Sequence, residues 1–305
     1  MAIKWEKWDS EQISPKELLL FRNRALGIKG QPSENELHAM KMHLAELARD
    51  SSMYNLVALK NETIAAWMSG KFSERRLTDI IRSIFFDTHF LTRQEVDNLL
   101  YQLETSLPYP FRRIEIHGLG PGRESDIELL HASGYHPDYC IVFSQRTTGG
   151  SNTIKPADSR IEFDHSIYPH TAYDIYRKAF SPTWDRDEIE QAELVPIIEA
   201  SDKRFSFLAF KDESPAGIVI TNEGLNKDEA YLQVIAIHPR MCGMGIADLM
   251  MTHLEDKLIE NGVKEISLAS YSDNSRMSKF LGRWSFRELY RETVFAKEEK
   301  TKSPA

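Results

Sequence analysis

The chain has few cysteines, no long apolar run and no excess of positive charge. Its only cysteines among 305 residues, Cys140 and Cys242, lie far apart and match no metal-ligand spacing. We therefore expect neither a disulfide framework nor a metal cofactor. No stretch approaches the roughly 20 apolar residues that span a bilayer, and residues 1–10 are polar, unlike a signal peptide. These absences predict a cytoplasmic protein without a membrane partner.

The charge balance narrows the class of partner further. A formal net charge of −8 and a pI near 5.7 argue against nucleic acid, which binds basic surfaces. The same balance suits a small cationic substrate, although solubility alone also explains it. A hydrophobic content of 41% and a length of 305 residues are typical of two domains of about 150 residues each.

An internal repeat indicates where the two domains lie. Residues 57–66 (VALKNETIAA) align without a gap with residues 208–217 (LAFKDESPAG), and both read as β-hairpins. Residues 128–135 match residues 279–286 at the same offset of 151. The alternative is chance similarity between hairpins. We predict domains over 1–147 and 160–299, a linker over 148–159, and a tail over 300–305.

The second half has a readable order of elements. Helices are predicted between residues 170 and 198, then strands over 205–210, 216–221 and 231–237. A helix follows, which places six residues on one face, and Asn261-Gly262 ends it. A strand over 265–269, a short helix over 274–281 and a last strand over 289–296 complete the pattern. The six residues of the helical face are Ile246, Leu249, Met250, His253, Leu254 and Leu258.

A glycine loop joins the strand over 231–237 to this helix. Residues 240–245 read RMCGMG, and two glycines let several backbone amides converge on one phosphate at a helix N-terminus. A P-loop would need Gly-Lys-Ser/Thr here, and a dinucleotide fold would need a third glycine and a later acidic residue. Neither is present, so the sequence excludes both of these nucleotide loops. The alternative is an ordinary glycine turn.

The motif R-x-x-G-x-G, preceded by Ile-His-Pro, resembles the acetyl-CoA loop of the GNAT N-acetyltransferase superfamily. The resemblance implies an α/β fold with a mixed sheet, here as two tandem GNAT-like domains. Residues 86–96, at the matching place in the first half, contain no G-x-G. The N-terminal domain is therefore interpreted as a degenerate copy without the family's cofactor site.

The resemblance also implies which residues bind acetyl-CoA. Backbone groups of Ile235, Ala236 and Ile237 would contact the pantetheine arm, and Asn274 matches the family's pantetheine-binding asparagine. Arg240 would add positive charge to the loop, whereas Cys242 stands where many members have a basic residue. The amides that would bind the diphosphate belong to Cys242, Gly243, Met244, Gly245, Ile246 and Ala247.

The catalytic residues are harder to assign. Leu281 replaces the tyrosine that the family uses as the acid for the thiolate, so Tyr271 and Tyr290 are candidate substitutes, with packing as the alternative role. An alkyl amine of pKa near 10.4 also needs a base, since deprotonation at pH 7.4 costs about 4 kcal/mol. Glu229, Tyr231 and His238 are the base candidates. Glu229 could equally be a solvated turn residue, and His238 could be structural.

An amine acceptor also requires anionic recognition. Asp185 and Glu188 lie between the first helices of the second half, beside Trp184, which could stack on a cation. Tyr231 is also counted among the predicted substrate-binding residues. Acidic residues in the first turn of a helix explain the same carboxylates equally well.

The sequence thus predicts an acetyl-CoA-dependent N-acetyltransferase that acts by direct transfer, as a monomer or homodimer. Tandem chains of this kind resemble mycothiol synthases and acetyltransferases that inactivate amine-bearing antibiotics, and the acidic balance favours the second group. A non-catalytic acyl-CoA sensor and a purely structural scaffold are the alternatives from other functional classes.

Overall fold

The computed structural model describes residues 3–9, 12–26, 28–49, 53–73, 78–106, 113–150, 160–181, 189–224 and 226–298. These residues form twelve strands and eight α-helices in two compact units. Unit 1 comprises Met1–Ile141 and Tyr290–Ala305, and unit 2 comprises Val142–Leu289. No helix in the described ranges is long and apolar enough to cross a membrane.

Unit 1 is a six-stranded mixed sheet with two helices on each face. Its strand order is β1-β2-β3-β4-β5-β12, in which only β4 and β5 pair in parallel. The strands are β1 (Trp5–Lys7), β2 (Met53–Lys60), β3 (Thr63–Ser73), β4 (Thr78–Phe86), β5 (Arg113–Ile116) and β12 (Arg287–Glu298). The helices are α1 (Pro15–Ala25), α2 (Glu34–Arg49), α3 (Arg93–Ser106) and α4 (Glu124–Ala132). Separate apolar clusters bury α1 and α2 on one face and α3 and α4 on the other.

Unit 2 repeats this architecture with the order β6-β11-β10-β9-β8-β7. The strands are β6 (His136–Thr147), which begins in unit 1, β7 (Ile161–Asp164), β8 (Phe207–Lys211), β9 (Ser214–Glu223), β10 (Glu229–Ile237) and β11 (Glu265–Tyr271). The helices are α5 (Pro169–Ala179), α6 (Gln191–Ala200), α7 (Ile246–Glu260) and α8 (Ser275–Arg283). One cluster buries α5 and α6, and another buries α7 and α8. The predicted α/β fold with a mixed sheet is thereby confirmed.

Helix α7 shows how well the apolar pattern predicts burial. Ile246, Met250, Leu254 and Leu258 lie in the core, as the helical spacing requires. Leu249 and His253 are only half-buried, because they lie at the margins of the same face.

The two units share local backbone geometry at matching positions. The β2–β3 turn has positive φ at Asn61 and Glu62, and the β8–β9 turn has positive φ at Asp212 and Glu213. Positive φ at both central residues is the signature of a tight hairpin turn whose twist matches its strands. Tyr135 N donates to Leu130 O at 3.0 Å, and Phe286 N donates to Leu281 O at the same distance. Each residue named here in unit 1 lies 151 residues before its counterpart in unit 2, which is the offset found in the sequence.

A buried carboxylate in β5, that of Glu115, is the centre of one polar network of unit 1. Arg113 Nε donates to Glu115 Oε1 at 2.8 Å, and Tyr139 OH donates to Glu115 Oε2 at 3.3 Å. His117 Nε2 lies 3.3 Å from the same carboxylate oxygen. Burial alone raises the pKa of Glu115, but hydrogen bonds and positive charge from His117 and Arg113 lower it to about 2.

Candidate functional site in unit 2

Strand β10 separates from its parallel neighbour partway along its length. Three pairs join it to β11, and the last is Tyr231 with Ser267. Pairing with β9 on the other side continues to Ile237 opposite Gly217. Across the described residues of β11, no partner is registered for residues 232–237. Backbone groups on that edge, including those of Ile235, Ala236 and Ile237, therefore face an open wedge between the two strands.

A β-bulge marks the point of separation. The register between β10 and β9 shifts between Leu232 and Val234, so Gln233 is the extra residue. A bulge bends its strand and increases its twist, which turns the end of β10 away from β11.

The loop after β10 presents a row of unengaged amides. Residues Pro239–Met241 form one 3-10 turn, and Gly243 and Gly245 then take left-handed conformations with φ of +80° and +74°. A Cβ added at Gly243 would meet no atom within 4 Å. Within the described residues, the amides of 243–247 donate to no protein acceptor. Together with the N-terminus of α7, these five N–H groups form a site that favours an anion.

The side chains around this loop differ from the sequence-based expectation in one respect. Cys242 and Arg240 are exposed, and Lys211 Nζ approaches Met244 Sδ at 3.5 Å from the β8–β9 hairpin. A lysine thus stands beside the loop, although residue 242 is not basic. No motif marked Lys211, because it is distant in sequence and only the hairpin geometry brings it here.

Tyr231 lies at the last paired position, where the wedge begins. It is half-buried, and burial raises the pKa of its phenol, while a hydrogen bond with the backbone of Ala269 opposes that shift. Because burial holds the phenol in its protonated form, Tyr231 is better suited to act as an acid than as a base.

The other base candidates have structural partners. The Glu229 carboxylate accepts from Asn226 Nδ2 at 2.7 Å and from Asn226 N at 3.2 Å, in the turn before β10. Eight residues of strand separate Glu229 from Ile237, or roughly 26 Å. His238 Nδ1 accepts from Arg240 N at 3.3 Å and begins the 3-10 turn. Neither placement tests their chemistry, and both assignments stay predictions.

The predicted pantetheine contact and the replaced acid lie on α8. Asn274 caps this helix, since its Oδ1 accepts from Met277 N at 3.0 Å. Leu281 is buried in the core of unit 2. Asn274 therefore has a structural role whether or not it also binds a ligand.

The remaining candidates are scattered. Tyr271 ends β11, whereas Tyr290 belongs to unit 1 and is exposed. Trp184, Asp185 and Glu188 lie outside the described residues. Their predicted roles are untested.

The matching loop of unit 1 has engaged amides. The amides of residues 88–92 donate to Phe86 O, to the side chain and carbonyl of Asp87, or to Glu95 Oε2. Thr92 and Glu95 form a capping box at the start of α3. An anion at residues 88–92 would have to displace these acceptors, whereas the amides of Arg93 and Gln94 in the first turn of α3 have no acceptor among the described residues.

The strands of unit 1 also separate, but a side chain fills the space. Pairing of β4 with β5 ends at Ile81 opposite Ile116. Beyond that point Arg123, only 3% exposed, donates to Ile84 O and, at 3.2 Å, to Gly118 O, and its ion-pair partner is Asp126. Arg123 lies 151 residues before Asn274. The repeat thus places a buried arginine where unit 2 has its helix-capping asparagine.

Comparisons with known proteins agree with this geometry. Residues 170–286, which include the loop and the separated strands, match the model of the acetyltransferase (GNAT) family. No curated protein matches the chain. Its fold is similar to that of many solved structures, including several acetyltransferases.

A GCN5-related N-acetyltransferase from Sphaerobacter thermophilus has a TM-score of 0.71 at 14% identity, covering 97% of this chain and 96% of that one. A tandem GNAT protein from the clavulanic acid biosynthesis pathway has a TM-score of 0.65 at 12% identity, covering 99% of both. A putative acetyltransferase from Pyrococcus horikoshii has a TM-score of 0.59 at 13% identity, covering 100% of this chain and 92% of that one. At such identities the likeness shows the fold alone. The family match covers the segment 170–286, which is less than half of the chain.

Proposed function

We propose that unit 2 is an N-acetyltransferase that binds acetyl-CoA at the 243–247 loop and acetylates a primary amine of a small, cationic molecule. The observation that carries this proposal is the row of five unengaged amides at the N-terminus of α7. These N–H groups converge where a diphosphate gains from both hydrogen bonds and the helix dipole. The wedge between β10 and β11 begins on the same strand that leads into the loop, and it supplies backbone partners for pantetheine.

The residues present fit acetyl-CoA in charge as well as shape. Arg240 and Lys211 add two cations beside the amides, and Gly243 leaves the approach to them open. Lys211→Met should raise the KM for acetyl-CoA about two- to fivefold, since an exposed charge pair contributes up to about 1 kcal/mol. The effect should shrink at high salt because the contact is electrostatic. An unchanged KM at low salt would contradict the role given to Lys211.

Acyl transfer is direct in this proposal. The neutral amine nitrogen attacks the thioester carbonyl and loses its proton to a base or a chain of water, with Glu229 and His238 as the base candidates. The C–S bond breaks, and the CoA thiolate takes a proton. Tyr231 can supply that proton, because its phenol is held protonated by burial. A thiol of pKa about 8.5 also leaves without much help near neutral pH. Loss of the acid at the Leu281 position is therefore compatible with turnover.

Unit 1 is proposed to be a GNAT-like domain that has lost its cofactor site. Its loop amides are engaged internally, and Arg123 fills the space between β4 and β5. The tandem arrangement draws support from the similar tandem GNAT fold and from the equal offsets between the two units. Antibiotic inactivation is the form of the activity we favour, and a mycothiol-synthase-like reaction is the competing one.

The decisive experiment is incubation of the full chain with acetyl-CoA and a panel of polyamines and aminoglycosides, followed by mass spectrometry of the amines. We expect a mass gain of one acetyl group on at least one amine, and no product from Gly243→Asp, whose carboxylate would repel the diphosphate. Thermal unfolding with and without acetyl-CoA separates the alternatives. Stabilisation without product would indicate a sensor, and neither stabilisation nor product would indicate a scaffold.

A further inference from the structure

Two histidines outside the proposed acetyl-CoA site face each other in unit 2. His165 follows β7, and His253 lies in the middle of α7. Their Nε2 atoms are 3.3 Å apart, although the residues are 88 positions apart in the sequence. The proposed acyl transfer uses neither ring. His253 also stands out in the sequence as the one imidazole on the apolar face of its helix.

Aromatic packing fixes both rings. Phe163 stacks on His253 with ring centroids 4.1 Å apart and an interplanar angle of 9°. Phe207 meets His165 and His253 edge-on, at centroid distances of 5.7 Å and 4.9 Å. The two Nε2 atoms therefore face each other in a preorganised arrangement, and a ligand held between them would cost little side-chain entropy.

The hydrogen bond on the far side of His165 determines its tautomer. Its Nδ1 lies 3.1 Å from the carbonyl oxygen of Ser206, which can only accept. Nδ1 must therefore carry the hydrogen, and the neutral ring directs the Nε2 lone pair towards His253. Histidines that ligate metals commonly donate their other ring N–H to a carbonyl in this way.

We propose that the Nε2 atoms of His165 and His253 bind one divalent transition-metal ion of the zinc type, with water completing its coordination. Two Zn–N bonds of about 2.0–2.1 Å at a tetrahedral angle span roughly 3.3 Å, which is the separation present. Without metal, the same distance allows an Nε2–H···Nε2 hydrogen bond, which zinc would replace. Imidazole is a preferred ligand for zinc, copper and nickel.

Charged side chains of both signs lie on α7 near His253. Asp256 and Glu260 act on His253 from the following turns of α7, and Lys257 opposes them. The described residues contain no cluster of three or more metal-ligating side chains. Two protein ligands make this an exchangeable site of moderate affinity. A bound ion would join the segment after β7 to α7. His253 lies about 10 Å along this helix from Ile246.

Zinc titration of the full chain, by calorimetry in metal-free buffer, tests the proposal. We expect one zinc ion per chain and a zinc-dependent rise in Tm. His253→Gln and His165→Asn should each weaken this binding at least tenfold. His170→Gln is the matched control, because His170 is an exposed histidine of α5 and should leave the titration unchanged.

A measurement on the unaltered protein guards against variants that do not fold. Substoichiometric Cu²⁺ should broaden the imidazole NMR signals of His165 and His253 before those of the other histidines. The proposal is overturned if zinc changes neither heat nor Tm, if binding persists in both variants, or if copper spares these two rings. In those cases the two histidines form a hydrogen bond and do not bind metal. The result is independent of acyl transfer, which the amine panel tests separately.

Discussion

Replacing Gly243 with alanine separates the backbone role of the loop from its ligand role. Gly243 has a φ of +80°, and an added Cβ would meet no atom within 4 Å. Steric overlap therefore contributes nothing to the cost, which comes from the left-handed backbone alone and amounts to about 1–2 kcal/mol. The new methyl group would, however, stand on the open side of the loop, among the five amides that we assign to the diphosphate.

Gly262 provides a control with the same backbone cost. It lies just beyond the other end of α7, with a φ of +74° and no atom within 4 Å of an added Cβ. Gly262→Ala and Gly243→Ala should thus lower Tm alike, by about 2–4 °C for each 1 kcal/mol. Any difference in acetyl-CoA affinity between the two variants reports on the loop itself.

Acetyl-CoA should distinguish the two variants clearly. At one hundred times the Kd, a ligand stabilises the folded protein by roughly 2.7 kcal/mol. Loss of one amide–phosphate hydrogen bond, worth about 1.5–3 kcal/mol, should raise the Kd of Gly243→Ala at least tenfold. Thermal unfolding over a series of acetyl-CoA concentrations measures this directly. Equal affinities of Gly243→Ala and Gly262→Ala would refute the assignment of the diphosphate to this loop.

Three further predictions follow from side chains described above. Tyr231→Phe should lower kcat about tenfold or more, with little change in the KM for acetyl-CoA, in steady-state assays; an unchanged kcat would remove Tyr231 as the acid. Arg123→Ala should destabilise the protein by about 3–5 kcal/mol in urea unfolding because it leaves Asp126 buried without its partner, and Arg123→Ala/Asp126→Ala should recover part of this loss. Because the pKa of Glu115 is about 2 when folded and about 4.5 when unfolded, wild-type stability should fall by on the order of 3 kcal/mol between pH 4.5 and pH 2. Arg113→Gln should flatten this pH dependence, and an equal slope in both proteins would show that Glu115 is not its source.

Local chemistry explains why much of this fold could be predicted. The hairpin turns at 61–62 and 212–213, the glycines of the loop and the apolar face of α7 act over a few residues, so the sequence determines them directly. The predicted last strand over 289–296 corresponds to β12. The pairing of β12 with β5 could not be predicted, because contacts such as that of Phe295 with Ile116 join residues far apart in the chain.

The site was predictable to the same extent. Its backbone part depends on glycines and a helix start, which motifs record. Its side-chain part depends on where distant residues meet. Lys211 reaches the loop only through the β8–β9 hairpin, and Tyr231 becomes distinctive only because β10 and β11 separate beside it. Residue type and position mark Tyr231 only as a base or substrate-binding candidate, and they do not mark Lys211 at all.

The buried Arg123 means that single substitutions are not expected to open the space between β4 and β5 of unit 1. Glycines introduced at residues 88–92 would face strands still bridged by the guanidinium. Removal of the arginine first would leave the carboxylate of Asp126 buried without its ion-pair partner. Each isolated step back thus lowers stability or changes nothing, and only a concerted set of changes would reopen the cleft. If unit 1 has lost a cofactor site, as we propose, a domain filled by its own side chains in this way would persist as a scaffold.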